Sequence, residues 1–532
     1  MRFAILAPLR VLAELVFAAA LLIAPAHAEV TAFKQAIAEA ASDDADIAAF
    51  YRTHGYAPIW TGPGAEGRTR RAALMKALSG AGAHGLPPSH YDAEGLMARM
   101  KAARTQRDRG ALEVEISRVF LRYARDVQTG LLIPQRVDSG IVRQVPYRDR
   151  ASYLVNFTRS SPTAFFRALP PQNREYTALM KEKMRLEARV AAGGWGPNVP
   201  ANALKPGASG QAVIALRNRL MAQGYLARTS SRTYDAALEA AVQRFQTAHG
   251  LEADGVAGPG TITEMNISAA QRLRSVVVAM ERERWINQDR GARHILVNIP
   301  DFSARVMDNG TETFRTRSVV GARTEDRPTP EFSDVMEHMV INPSWYVPRS
   351  IIVGEYLPRL RANPGAVSHL QITDSRGRVV SRNRSFASYT ERTFPFSMRQ
   401  PPGPKNALGL VKFMFPNKHN IYLHDTPAKN LFGREVRAYS HGCVRLAEPF
   451  EFAYALLAAQ EDDPKAFFQT KLRSGQETYV YLDDPVPVHL IYRTAFTKPK
   501  GGLEFRRDVY GRDAKVWEAL RREGVVLGGA SG

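Results

Sequence analysis

The chain has 532 residues, a formal charge of +20 and one cysteine. Its length exceeds one ordinary domain and predicts two to four, while a lone cysteine excludes any internal disulfide. A basic surface favours polyanions such as nucleic acid, anionic lipid headgroups or an acidic cell-wall polymer. The charge is spread along the chain, as in Arg143–Arg150 and Lys498–Arg521, so a solvated surface is its plainest reading.

Residues 1–28 carry Arg2 and Arg10, an apolar run Val11–Ile23 and a small-x-small ending, Ala26-His27-Ala28. That pattern predicts a secretory signal peptide, with an uncleaved anchor as the alternative. No later stretch approaches ~18 consecutive apolar residues, so no further membrane span is expected. Export makes nucleic acid a poor partner and leaves the lone cysteine either in an intermolecular bond or as a free thiol.

Residues 29–195 read as mainly helical. Ala36–Tyr51, Arg71–Leu78 and Ala111–Val127 carry helical spacing, with glycines Gly80, Gly82 and Gly85 and the run Leu86-Pro87-Pro88 as breakers. The aromatics Phe50-Tyr51 and Tyr56–Trp60 are expected to pack rather than to stack on a ligand. After the charged helical segment Tyr176–Ala191, the stretch Trp195–Pro206 is rich in Gly, Pro, Asn and Ala and reads as a linker. Residues 208–266 form a compact helical unit. Val213, Leu216 and Leu220 make one apolar series, Leu238, Ala241, Val242 and Phe245 a second, with glycine turns at Gly250, Gly255 and Gly258. A unit this small suits recognition better than chemistry.

A further helix is expected over Ala269–Arg284. The period then changes: Ile295, Val297 and Ile299 alternate, and Asp308-Asn309-Gly310 signals a hairpin turn. Extended signals continue at His369–Ile372, Gly409–Phe415, Ile421–Leu423, Thr478–Leu482 and Val486–Thr494, with helices expected at Pro449–Gln460 and Ala514–Glu523. The fold class is therefore multidomain α+β, with a helical N-terminal region and a small helical module ahead of a β-rich domain.

Chemistry concentrates between Ile421 and Leu446. His424 lies where a strand enters a loop, and Cys443 follows 19 residues later beside Gly442. A thiol is mostly protonated at neutral pH, and a histidine within hydrogen-bond reach can take its proton and return one to a leaving amine. His424 and His441 both qualify, and His424, being distant in sequence, can be aimed at the thiol directly. Asp425, Ser440 or a backbone carbonyl would fix the imidazole tautomer. The N–H of Gly442 or Cys443 would meet a developing oxyanion, and Arg445 would bind a substrate carboxylate or favour thiolate. His419, His424, His441 and Cys443 suffice numerically for zinc, but their intervals of 5, 17 and 2 match no zinc pattern. No metal and no cofactor are expected.

The block His424-Asp425-Thr426-Pro427, then Gly433, then Ser440-His441-Gly442-Cys443-Val444-Arg445 resembles the YkuD-type L,D-transpeptidases of bacterial cell-wall synthesis. Val319-Val320-Gly321, Thr329-Pro330 and Asn342–Pro348 extend the resemblance, which covers about 290–495. The 208–266 unit resembles a peptidoglycan-binding type 1 domain, and the whole arrangement is similar to the large periplasmic members. The resemblance implies that Cys443 attacks a tetrapeptide stem, releases D-alanine and forms a thioester that another stem's amine resolves into a 3→3 crosslink. His424 takes the proton-transfer role and His441 the motif's second histidine. Ser440, Gly442, Arg445, Asp425, Tyr439 and Trp345 fall at structural or substrate-contacting positions. Residues 349–409 resemble a lid insertion, and 496–532 form a C-terminal tail. Peptidoglycan stems, with other wall-synthesis proteins, are the implied partners, and the periplasm is the implied location. The other readings are an L,D-carboxypeptidase or crosslink hydrolase, an enzyme attaching proteins to the wall, and a non-enzymatic wall-binding scaffold.

Overall fold

The computed structural model describes residues 31–324, 327–498 and 501–527; the expected signal segment 1–28 lies outside the described residues. The chain divides into two compact units, one built from residues up to 78, 91–123 and 149–165, the other from 79–90, 124–148 and 166 onward.

The first unit is helical. The apolar repeat over Ala36–Tyr51, interrupted in sequence by Asp43-Asp44, forms two helices, Ala32–Ala40 and Ala45–Thr53, and the Asp44 side chain accepts from Ile47 N to cap the second. The aromatic turn packs as expected. Tyr51 and Trp60 are fully buried, and Trp60 stacks on Phe157 with centroids 4.9 Å apart. The buried Glu113 accepts from Trp60 N at 2.9 Å, Thr61 N at 2.7 Å and the Tyr51 hydroxyl at 2.9 Å, so a carboxylate folds the turn around itself.

In the second unit, helices Gln211–Ala222, Ala236–Ala248 and Pro259–Met265 enclose a small apolar core of Val213, Leu216, Leu238, Val242 and Phe245. Gln246 is buried beneath it. Its amide donates to Asp254 Oδ1 and Val256 O and accepts from Gly255 N, which closes the glycine turn. The stretch expected as a linker is part of this module. Val199 joins its core, Leu204 bridges Ala257, and Arg219 donates to Gly196 O and Pro197 O. Its lack of regular structure hid those anchors.

The β-rich part contains strands β1 (Arg293–Asn298), β2 (Ser303–Asp308), β3 (Thr311–Gly321), β4 (Phe332–Ile341), β5 (Trp345–Tyr346), β6 (Gln371–Thr373), β7 (Ser397–Gln400), β8 (Val411–Met414), β9 (Leu423–His424), β10 (Ala438–Ser440), β11 (Val444–Leu446) and β12 (Thr478–Ile491). Asn309 and Gly310 take positive φ at the predicted β2–β3 hairpin. Among the described residues the main sheet runs β10-β3-β11-β9-β8-β4-β12-β1-β2, and β3 also pairs with β2, so the run closes on itself as a barrel. Alternating residues such as Ile295, Val297, Ala304 and Val306 fill the interior. The helix Pro449–Leu457 adds Phe452, whose ring meets Phe413 edge-on at 4.8 Å. The two extended segments expected near the C-terminus are one strand, β12, irregular between Tyr481 and Val486 where it pairs with β4.

Between β4 and β8 the chain builds a second, smaller core. Strands β5, β7 and β6 form a three-stranded sheet, packed with Ile352, Leu360, Phe386 and Phe394. We refer to this as the cap.

The basic residues are not simply a solvated surface. Arg143 is buried, donating to Ser333 Oγ at 2.8 Å and to Leu490 O. On the helix Ala269–Trp285, Arg282 pairs with Glu331 and Asp513, both at 2.7 Å, and Arg284 with Glu281 at 2.5 Å. Arg282 and Arg284 persist in the interior because each has an opposite charge as partner, and Arg143 because it is hydrogen-bonded.

Candidate active site

Strand pairing assembles the site. β11 runs parallel to β9 with Val444 opposite Leu423 and Arg445 opposite His424, and Val444 N donates to Tyr422 O at 3.1 Å. With a side-chain period of two, Cys443 and Arg445 fall on the same sheet face as Tyr422 and His424. Four side chains thereby converge although 19 residues, β10 among them, separate the two strands in sequence.

His424 is buried, and its Nδ1 bonds the Asp425 carbonyl oxygen. A carbonyl can only accept, so that contact places a proton on Nδ1, and the ring also makes a hydrogen bond with the Leu408 backbone. Burial, helped by the nearby Arg445 charge, pulls this imidazole down to about 3, so it rests neutral. Of the three groups expected to fix the tautomer, a backbone carbonyl does so, and the carboxylate of Asp425 does other work. Its oxygens accept from Leu410 N, Thr426 N and Lys429 Nζ at 2.9, 2.7 and 2.6 Å, bracing the loop below the histidine. Adjacent side chains on a strand face opposite ways, so only the carbonyl can reach the ring.

Cys443 is partly buried, and its Sγ donates to Asn420 O at 3.5 Å. Burial pushes the thiol up to about 11, against lowering hydrogen bonds from Tyr422 and the charge of Arg445. Tyr422 also takes a hydrogen bond from Trp345 on β5, and burial holds its phenol well above the usual range. Its ring lies 5.6 Å from that of His424. Arg445 is partly buried, its Nε has no hydrogen-bond partner, and burial lowers its pKa. An arginine with an unpaired nitrogen beside the thiol is equipped for an incoming carboxylate.

The Ser440–Cys443 loop is pinned internally. The Ser440 hydroxyl donates to Cys443 O at 2.5 Å and accepts from Gly442 N at 3.1 Å. Gly442 N–H is therefore committed to Ser440, which leaves Cys443 N–H of the two oxyanion donors expected from sequence. Among the described residues the Cys443 N–H meets no acceptor. Gly442 adopts φ +113°, and Thr329 Oγ1 donates to its carbonyl at 2.7 Å while accepting from Gly321 N at 2.9 Å.

His441 is bonded to the cap. Its Nε2 bonds Glu355 Oε1 of the cap at 2.5 Å, and Arg327 reaches the same oxygen at 2.7 Å. Tyr439 is exposed, its hydroxyl accepting from Arg434 at 3.0 Å. His419 lies against the Phe332 ring, with centroids 5.2 Å apart. No group of three or more His, Cys, Asp or Glu among the described residues is placed to hold a metal ion.

Residues 292–487 match the family model of the L,D-transpeptidase catalytic domain, also called YkuD. The matched stretch is the barrel with its cap, which is thus similar to YkuD-type L,D-transpeptidase domains. Residues 209–265 match a peptidoglycan-binding domain model and residues 45–182 a scaffold domain model. A Haemophilus influenzae protein described as an L,D-transpeptidase is 34% identical over 238 residues, 43% of this chain and 47% of that protein. The chain thus matches about half the length of this curated relative. Solved L,D-transpeptidases from Xylanimonas cellulosilytica and Stackebrandtia nassauensis are 16% and 14% identical. Each covers 56% of this chain and 98% and 97% of its own, with TM-scores of 0.17 and 0.22; these carry no weight here beside the family match.

Two side chains of the transpeptidase domain site escape a reading of sequence. Tyr422 stands two residues before His424, so the period of the strand was signal enough to place it on the same face. Thr329 lies 114 positions before Cys443, and its hydroxyl could be connected to Gly442 only through the pairing of β3 with β10 and β11.

Proposed function

We propose that this protein is a periplasmic, cysteine-dependent L,D-transpeptidase that forms 3→3 crosslinks between peptidoglycan stems. The observation that carries the reading is the strand pairing that puts buried His424, its Nδ1 bonded to the Asp425 carbonyl, on the face that also bears Cys443. In the reaction, Cys443 Sγ passes its proton to His424 Nε2 and bonds the carbonyl carbon that joins the third stem residue to the terminal D-alanine. The developing oxyanion takes the free Cys443 N–H, and Arg445 meets a stem carboxylate. The C–N bond then breaks, D-alanine leaves with the proton returned by His424, and a thioester remains. An amine of a second stem attacks the thioester, His424 accepts its proton, and the thiol is restored as the new amide forms. His441, held by the cap, acts as a positioning residue for the loop bearing the nucleophile. Tyr439 and Trp345 contact the incoming stem.

Incubation with disaccharide tetrapeptides followed by mass spectrometry tests this. A covalent adduct lacking D-alanine, then dimeric muropeptides, is expected, and neither from Cys443→Ala. Free tripeptide without dimer would replace transfer by hydrolysis, and equal turnover by Cys443→Ala would overturn the mechanism.

A further inference from the structure

A cleft of about 330 Å³ lies between the peptidoglycan-binding module, at Gly250–Glu252, and the barrel, at Pro300–Phe302, Arg315–Arg317 and 432–437. Five arginines line it (Arg315, Arg317, Arg434, Arg437 and Arg506) against three carboxylates. Two of those carboxylates are already engaged. Asp301 holds Arg305, Arg315 and Arg506 at 2.7, 3.0 and 2.5 Å, and Glu435 pairs with Arg507. Arg317, Arg434 and Arg437 form no ion pair among the described residues and bond only neutral oxygens. Arg317 donates to Phe432 O at 3.3 Å, Arg434 to the Tyr439 hydroxyl at 3.0 Å, and Arg437 to Arg434 O at 2.8 Å.

The crowding is felt within the group. Burial, with the charges of Arg317, Arg315 and Arg506, brings Arg437 down to about 10 although Asp301 opposes the shift. Nor is the opening an accident of a loosely attached module. His249 stacks on Phe505 at 5.6 Å between centroids, and Arg506 donates to Ala248 O at 3.1 Å, so the module wall is tied to the barrel side. The other wall, 432–437, leads directly into Tyr439, Ser440 and the nucleophile. Guanidinium forks fit planar, bidentate anions, and the three unneutralised ones face a space large enough for a short peptide.

We propose that this cleft binds the carboxylates of a peptide stem on the glycan strand held by the module, through Arg317, Arg434 and Arg437. The identity of the polymer rests on the transpeptidase reading above; the anion-binding character of the cleft does not.

The test uses the full chain, purified intact sacculi, and two comparison sets, one with its carboxylates amidated and one stripped of phosphate polymers. Sacculus binding is measured at low and high salt, alongside adduct formation with a soluble disaccharide tetrapeptide. Arg317→Glu should weaken binding to intact sacculi about 10-fold or more, the scale of one lost charge-assisted contact, and leave soluble adduct formation unchanged. Arg434→Gln, a milder change, should weaken binding in the same direction, and wild type should lose affinity for amidated sacculi to a similar extent. Unchanged binding by both variants, or undiminished affinity for amidated sacculi, would overturn the proposal. Loss of binding only on phosphate-stripped sacculi would do so too, by assigning the cleft to phosphate. Sacculus binding that keeps this pattern while wild type forms no adduct would instead count against the transpeptidase reading alone.

Discussion

The resting state of Cys443 can be read from the pH dependence of its alkylation. A thiol held at about 11 is only about 0.03% ionised at pH 7.5, roughly 100-fold less than one at the ordinary value of 9.0. A more basic thiolate is also a better nucleophile, and with a Brønsted slope near 0.45 the two-unit rise restores about 8-fold. The net expectation is a reaction with iodoacetamide about 10-fold slower than that of an unperturbed thiol. Access alone could slow it as much, so the shape of the profile decides. The logarithm of the rate should climb with unit slope from pH 6 to pH 10, because neither Cys443 nor the neutral His424 changes state in that window. Intact mass follows the reaction without ambiguity, since the chain has one cysteine. A rate that levels off below pH 8 would refute the argument: it would mean a thiolate–imidazolium pair, with His424 protonated. Tyr422→Phe removes a hydrogen bond that lowers the thiol and should move the profile to still higher pH.

Stability should fall with acid. An unfolded histidine protonates near 6.5 while folded His424 waits until about 3, so its contribution is present above pH 6.5 and lost below it, about 2 kcal/mol by pH 5. His489 and His84, each lowered to about 4 chiefly by burial, act in the same sense. Melting temperature should drop between pH 7 and pH 5, and less so in His424→Gln; equal drops would contradict this. Phe452→Ala should cost about 3–5 kcal/mol in chemical denaturation, as its ring fills the barrel against Phe413. Thr329→Val strands Gly321 N and Gly442 O and should cost about 1–3 kcal/mol while slowing adduct formation; wild-type kinetics would show that the brace does not position the nucleophile. Gly442→Ala must hold φ +113° with its Cβ 3.1 Å from Ile421 Cδ1. About 1–3 kcal/mol of strain is expected, read as a lower melting temperature and slower adduct formation.

The parts of this molecule visible in sequence are those governed by local pattern. Alternation announced β1 and the β2–β3 hairpin, helical spacing announced Gln211–Ala222 and Ala236–Ala248, and the short motif around Cys443 announced the nucleophile. What stayed hidden depends on partners far along the chain. Glu281-Arg282-Glu283-Arg284 has the composition of a solvated helix face, yet all four side chains are buried, because Glu331, Asp513, Tyr176 and Arg290 supply their partners. Trp195–Pro206 has linker composition, yet it is fastened by backbone hydrogen bonds that no composition encodes. The use of Gly442 N–H followed the same rule: glycine next to a nucleophile suggested an oxyanion donor, and only the rotamer of Ser440 shows it occupied.

The cap enters the chemistry through two contacts at opposite ends of the nucleophile. Trp345 bonds Tyr422, which bonds Cys443, and Glu355 bonds His441, two residues before the same cysteine. Tyr422 also packs against both the barrel core and the cap core. The barrel alone therefore fixes where His424 and Cys443 sit, through the pairing of β9 with β11. The hydrogen-bond environment of the sulfur is set jointly by barrel and cap, and both halves must be in place for Tyr422 to lower the thiol. Neither half carries the resting state by itself, since Trp345 and Glu355 belong to the cap while Tyr422 and Cys443 belong to the barrel.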